Sequence, residues 1–281
     1  SAFVNNQELP LRKLNSAILK RFENHLRQRN CSWNTVSTYI KTIRSVYHRA
    51  VDMKCARYIP RLFEHVYTGT RADRKKSLET SDISYLVRQT EMSIQETNYL
   101  SQNQQTKVFF VLMFMLRGIP FVDLVHLRKT DMKHNTISYY RRKTRQQLSV
   151  YLEPYAAEIL RRYADKHSPS PYLLPILSLV GPEGYRQYKS ALRLYNQHLH
   201  RLSKMLRLSV PLTSYVARHS WATTAKEEGV AIAMISEGLG HSSEKVTHVY
   251  LSSFNNNAMS KANRKVISTI HAKKKKRKKG E

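Results

Sequence analysis

A chain of 281 residues has room for one large or two ordinary domains, and its 41% hydrophobic content is enough to fill their cores. Its 48 Lys and Arg against 20 Asp and Glu leave a formal charge of +28, which points to a polyanionic partner and makes such binding salt-dependent. No apolar stretch approaches the roughly 20 residues of a membrane span, the opening SAFVNNQELP lacks the basic-then-apolar order of a signal peptide, and Cys31 and Cys55 form neither a disulfide framework nor a metal-ligand spacing, so a soluble protein of a reducing cytoplasm is expected.

The charge is not a property of the tail alone. Removing residues 272–281, with seven cations and Glu281, takes 6 from +28 and leaves +22 on the rest. The basic character belongs to the folded body, and the run Lys273 to Lys279 reads as a separate basic tail, a solvated one in the simplest case.

Helical periodicity runs through residues 11–67. Ile18, Leu19, Phe22 and Leu26 mark one amphipathic helix, decorated by Lys20, Arg21, Arg27 and Arg29. Val36, Tyr39, Ile40, Ile43, Val46, Tyr47, Ala50 and Val51 recur at steps of three and four in a second, with Asn34 as its expected N-cap. These predict a small basic helical bundle over 1–67. Residues 68–80, TGTRADRKKSLET, lose that periodicity and gather Arg71, Arg74, Lys75 and Lys76, as a linker would.

Beyond the linker, Val108 to Leu116 is dense enough in apolar residues to be a buried helix. Thr136 to Tyr140 and Leu148 to Leu152 alternate in strand fashion around the cation-rich turn RRKTRQQ, predicting a hairpin. Helix spacing returns over Glu153 to His167 and Tyr185 to Leu208. The fold class expected is mainly α: a helical bundle, then a mostly helical domain over 81–270 with a small antiparallel β-sheet.

The chemistry is concentrated in LTSYVARHSWATTAKEEGV and AIAMISEGLGHSSEKVTHVYLSS, which place Arg218, His241 and Tyr250 at intervals of 23 and 9 residues. A guanidinium holds a phosphate bidentately, an imidazole hydrogen-bonds it, and a phenol can attack phosphorus, so the three suit phosphoryl transfer on nucleic acid. There is no Gly-rich phosphate loop and no carboxylate cluster of the kind a two-metal nuclease needs, so no cofactor, nucleotide or metal is expected.

Arg218-His219-Ser220, Ala222-Thr223-Thr224, Leu239-Gly240-His241-Ser242 and Tyr250 together resemble the motif of the tyrosine recombinase (phage-type integrase) family. The likeness spans nearly the whole chain, and RGIPFVDLVHL resembles the variant found in integrases of bacterial conjugative transposons. It implies a SAM-like core-binding domain over 1–67, a linker over 68–80, a catalytic domain over 81–270 and a basic tail over 271–281. It further implies a site-specific DNA recombinase that cuts and rejoins strands through a 3′-phosphotyrosine, for integration, excision or inversion. Double-stranded core sites, a homo-tetramer on DNA and possible accessory DNA-bending proteins would be its partners, in a bacterial cytoplasm. An N-terminal domain for accessory arm sites, which many such integrases carry, is not expected ahead of helices that begin so early.

The resemblance makes Tyr250 the nucleophile, Arg218 a stabiliser of transition-state charge, His241 a phosphate ligand and Lys143, in the hairpin turn, the general acid, although Arg141, Arg142 and Arg145 crowd that turn. His219 is expected to pack. Two departures stand out. Tyr215 occupies the position three before the motif arginine, commonly His or Lys, and is expected to bind phosphate or simply to pack. Pro120 falls where the family has its first arginine, so Arg117, three residues earlier, is expected to supply that guanidinium, with Asp123 orienting an arginine, capping a helix or forming a structural ion pair. An amphipathic segment with Met259, Ala262, Val266 and Ile267 follows the tyrosine and would dock on a neighbouring subunit or pack in cis. The alternatives are a DNA-binding architectural or regulatory protein without catalysis, and a topoisomerase-like activity.

Overall fold

The computed structural model describes residues 9–71, 77–96, 101–241, 243, 244 and 247. The chain divides into two compact units, Ser1–Arg74 and Lys75–Glu281.

In the first unit, α1 (Ser16–Gln28) starts at Asn15, whose side chain accepts a hydrogen bond from Ile18 N at 2.9 Å. Helix α2 (Trp33–Asp52) is capped by Ser32, whose hydroxyl accepts from Thr35 N, and not by the expected Asn34. Asn34 lies one residue inside the helix and bonds the backbone of Arg71 instead. Leu14, Leu19, Leu26, Val36, Ile40, Tyr47, Leu62 and Val66 form the core. Tyr39 and Val46, counted by periodicity on the apolar face, stand 51% and 56% exposed, so the buried stripe is narrower than the sequence suggests. The returning loop is fixed by polar groups: Tyr47 Oη donates to Arg57 O at 2.7 Å and accepts from Ile59 N at 2.8 Å. Buried Glu23 accepts from Lys20 and from Tyr67 N.

The second unit is built around α4 (Gln102–Met115), which opens with a Ser101–Gln104 capping box and buries every residue from Val108 to Met113. A helix apolar on all sides needs neighbours on all sides. They are α3 (Thr80–Glu96), α6 (Pro154–Tyr163), α7 (Gly181–Met205) and α8 (Val216–Glu227). Short α5 (Phe121–Val125) follows α4 through the tight turn at Arg117 and Gly118, both in the left-handed region with φ of 55° and 66°.

The sheet is a three-stranded antiparallel meander of β1 (Met132–Lys133), β2 (Thr136–Tyr140) and β3 (Gln147–Tyr151). Ile137 pairs with Val150 and Tyr139 with Leu148, and these four face the core, while Ser138 and Ser149 join hydroxyls at 2.8 Å on the other face. The predicted hairpin thus gains a short third strand. Helix α6 ends at Tyr163, short of the predicted His167, because Ala164 turns extended and Asp165 N bonds Leu173 O. Helix α7 begins four residues before Tyr185, with Pro182 in its first turn. The last described helix, α9 (Ile232–Leu239), packs on α8 through Ala222, Ala225, Ile235 and Leu239. None of the described helices is long and apolar enough to cross a membrane.

Ser220, wholly buried on α8, accepts a hydrogen bond from Leu78 N at 2.9 Å and so ties the chain entering α3 to α8. Ser220→Ala leaves that buried N–H without a partner. It is expected to destabilise this unit by about 1–3 kcal/mol, seen as a lower urea midpoint at unchanged slope.

Candidate active site

Small residues on α8, among them Ala217, Ser220 and Ala222, let the helix approach its neighbours closely, and Arg218 lies between them at 1% exposure. A buried guanidinium must spend its donors on acceptors. Arg218 Nη1 donates to Gly118 O at 3.0 Å, Nη2 to Leu239 O at 2.6 Å, and Nη2 also lies 3.0 Å from His241 Nε2. Gly118 fits this place for two reasons. Its φ is left-handed, and a Cβ there would lie 2.7 Å from Arg218 Cα.

Arg141 follows β2 and is 5% exposed. Its Nε donates to Asp123 Oδ2 at 3.3 Å, and its Nη1 to Leu239 O at 2.7 Å and Gly240 O at 2.8 Å. Leu239 O therefore accepts from both guanidiniums. Arg141 Nη2 bonds no described residue, which leaves donors for a ligand. Asp123 is 3% exposed and uses its second oxygen to accept from Arg142 N at 3.0 Å, so one carboxylate holds the side chain of Arg141 and the backbone of the turn after it. Of the roles expected for Asp123, it takes that of orienting an arginine, and the arginine is Arg141.

His241 is placed by the end of α9. Gly240, with φ of 64°, is left-handed, Gly240 N bonds Glu237 O and His241 N bonds Ser236 O, the paired bonds of a Schellman motif. A Cβ on Gly240 would lie 2.5 Å from Arg141 Cδ, so the close passage of that arginine also requires glycine. The imidazole Nδ1 lies 2.7 Å from the hydroxyl of buried Thr247. Since a guanidinium only donates, Nε2 facing Arg218 carries the lone pair and Nδ1 carries the proton. Burial, then Arg218, Arg141 and Lys143, hold the His241 pKa down at about 4. The imidazole is neutral at physiological pH.

The other expected residues lie around this centre. Lys143 is exposed in the hairpin turn, with its charge within electrostatic reach of His241. Thr144 beside it donates to Gly240 O at 3.4 Å. Arg117 is half-buried; its Cδ passes 3.7 Å from the Cβ position of Gly238, beside Trp221. Arg117, Arg141, Arg218 and Asp123 all act on the phenol of Tyr139, which burial pushes well above its ordinary pKa. Tyr215, at the start of α8, is 42% exposed and sets its ring edge-on to His219 at 5.2 Å. Tyr250, Ser242 and the segment from Met259 to Ile267 lie outside the described residues.

Sequence reasoning grouped Arg141 with the solvated cations of the turn and so missed it. The signal was available: inward-facing Ile137 and Tyr139 set a period of two that makes 141 the next inward position.

Residues 76–257 match the model of the phage integrase family, and residues 1–63 that of a phage integrase SAM-like domain. Tyrosine recombinase XerA of Thermococcus kodakarensis is 25% identical over 241 residues, which cover 84% of this chain and 77% of that protein. Among solved structures, the Tn1549 transposon integrase in complex with a circular intermediate DNA aligns over 94% of this chain and 90% of its own, with a TM-score of 0.65 at 14% identity. A lambda integrase fragment, in a dimer bound to a core site, aligns over 89% of this chain and 84% of its own, with a TM-score of 0.63 at 13% identity. The shared fold is a mostly helical one with a small antiparallel sheet.

The lowered pKa of His241 has a signed consequence. An unfolded imidazole binds its proton below about pH 6.5, whereas the folded one stays neutral to about 4, so stability should fall as pH drops through that window. Urea unfolding of His241→Asn is expected to show a flatter pH dependence there, and NMR should place the His241 titration near the bottom of the window.

Proposed function

The chain belongs to the phage integrase family and is a tyrosine-type site-specific recombinase, and on that premise we propose how its own residues divide the reaction. Its substrate is double-stranded DNA, in keeping with the DNA complexes of the similar integrases. Tyr250 attacks the scissile phosphorus: its oxygen forms the new bond to phosphorus, the bond to the 5′ oxygen breaks, and a 3′-phosphotyrosine results. Rejoining reverses this, with a 5′ hydroxyl as nucleophile.

The observation that carries the assignment of the cations is the acceptor that Arg141 and Arg218 share. Two guanidiniums converge on Leu239 O next to a neutral imidazole, and Nη2 of Arg141 bonds no described residue. We assign that pair to the non-bridging oxygens of the phosphate, with Arg141 in the place the sequence suggested for Arg117. Arg117, lying along Gly238, is an outer cation. Charge that develops on phosphorus oxygens is best met by donors already fixed, and both arginines are fixed by buried acceptors.

His241 enters as an acceptor at Nε2. An anionic phosphate beside Arg218 offsets the repulsion that keeps the ring neutral, so the imidazole can take the phenol proton and then donate to a phosphate oxygen. Lys143, exposed in the hairpin turn, donates the proton that the departing 5′ oxygen requires. Tyr215 supports the phosphate from the start of α8. Core sites paired in a homo-tetramer, with the segment after Tyr250 docking between subunits, complete the proposed reaction; accessory DNA-bending proteins fit the same scheme.

The test is covalent trapping on nicked, labelled core-site DNA in EDTA, followed by denaturation. A protein–DNA adduct is expected, and Tyr250→Phe should abolish it. Arg218→Lys and Arg141→Lys should each slow adduct formation by about 100-fold or more, while Arg117→Ala should cost less than about 10-fold. DNA bound with site preference but never joined to protein would favour the architectural reading. A larger loss for Arg117→Ala than for Arg141→Lys would return the first guanidinium to Arg117.

A further inference from the structure

The first unit carries a pair of arginines that have no carboxylate partner among the described residues. Trp33, at the start of α2, has the guanidinium carbons of Arg27 and Arg71 at 4.6 and 4.8 Å from its ring centre. Tyr67 meets the same indole edge-on at 5.0 Å and lies 5.6 Å from Arg71. Both arginines are exposed, and neither forms an ion pair with a carboxylate among the described residues, unlike Lys20, Arg61 and Arg161.

Arg71 is also fixed through its backbone. Asn34 accepts from Arg71 N and donates to Arg71 O, both at 2.9 Å. This reciprocal pair closes a loop of 37 residues and anchors a position that the sequence alone assigns to a linker. The chain before it is equally constrained: Glu23 holds Tyr67 N at 2.6 Å, and a Cβ on Gly69 would meet the Tyr67 ring at 3.0 Å. Arg27 spends one donor on Cys31 O and Arg71 spends none of its side-chain donors on a described residue.

Two like charges on one indole repel each other, and nothing described beside them cancels the charge. An aromatic face holds a guanidinium without using its N–H groups, which stay available at the edge for bidentate bonds. Fixing the backbone of Arg71 removes part of the ordering cost of binding. We propose that Arg27 and Arg71, mounted on Trp33 and preset by Asn34, form a clamp for backbone phosphodiesters of duplex DNA where the chain leaves the first unit. The inference rests on the reading that this protein binds DNA, and it concerns a site separate from the candidate active site.

The experiment is the salt dependence of duplex binding by the full chain, followed by fluorescence anisotropy. Each phosphate contact contributes about 0.9 to the slope of log affinity against log salt. Arg27→Ala and Arg71→Ala should each lower the slope by about that amount, with a several-fold loss of affinity, and Arg71→Lys should restore the slope. Asn34→Ala keeps both charges and should weaken binding several-fold at nearly the original slope. Arg61→Ala, which removes an exposed cation paired with Glu64, is the control and should leave the slope in place. With Trp221→Phe leaving Trp33 as the one tryptophan of two, DNA should change its emission.

Unchanged slopes in both arginine variants, on DNA that the parent protein binds, would overturn the clamp and leave the recombinase reading standing. A drop for Arg61→Ala as large as for Arg71→Ala would overturn it too, by reducing the effect to net charge. Failure of the parent protein to bind duplex DNA would instead remove the DNA reading beneath it.

Discussion

The carbonyl of Leu239 is the acceptor on which the catalytic unit's buried charges depend. Two guanidiniums, Arg141 and Arg218, donate to it, and each is a cation taken from water that needs such acceptors. One backbone dipole cannot cancel two charges, so the rest of the arrangement follows. Asp123 supplies the formal negative charge to Arg141, and the carbonyls of Gly118 and Gly240 accept from Arg218 Nη1 and Arg141 Nη1 respectively. Those carbonyls point inward because both glycines are left-handed and lack the Cβ that would strike Arg218 or Arg141. The fold of three separate turns is thus set by where two arginines need acceptors.

The same constraint determines the state of His241. The Schellman turn that delivers Leu239 O and Gly240 O to the arginines delivers the imidazole one residue later. Burial first, and then the charges of Arg218, Arg141 and Lys143, keep the ring neutral with its lone pair toward Arg218. Without an anion the site holds an excess of positive charge at low exposure. On the proposed reading a phosphate would relieve this excess, so that part of the binding free energy would be stored in the folding of the site itself, and a substrate without a phosphate would gain nothing from it.

Much of this was legible in the sequence, and the reasons differ residue by residue. Arg218, His241 and the glycine before it stood out through motif spacing, and the structure gathers them around one carbonyl. The hairpin was legible because Ile137, Tyr139, Leu148 and Val150 alternate with polar residues. Arg141 was lost to composition: among four cations in five residues it looked solvated, although the alternation of β2 already directed it inward. The departure at Pro120 drew attention to Arg117 by proximity in sequence, whereas Arg141, which shares an acceptor with Arg218, follows a strand 24 residues beyond Arg117 and reaches the site only through tertiary structure. Asn34 was misread for a related reason. Its propensity for an N-cap is real, yet Ser32 takes that place and the amide is drawn to a backbone 37 residues away.

A chain with 48 cations and 20 acids cannot pair its charges one to one, and its economy of acids is instructive. The two buried carboxylates described, Asp123 and Glu23, each serve a cation and a loop amide at once, so that one negative charge orders a side chain and a backbone together. Elsewhere arginines are held by groups with no net charge: carbonyls for Arg218, an indole for Arg27 and Arg71. Neutral holders fix the geometry of a cation while leaving its charge uncancelled. A protein that grips a polyanion needs both properties together, since an N–H already spent on a carboxylate has to leave it before it can take a phosphate. Arg141 combines the two modes: Asp123 holds its Nε, while its Nη2 bonds no described residue, so the carboxylate orders the side chain without occupying the edge proposed for phosphate.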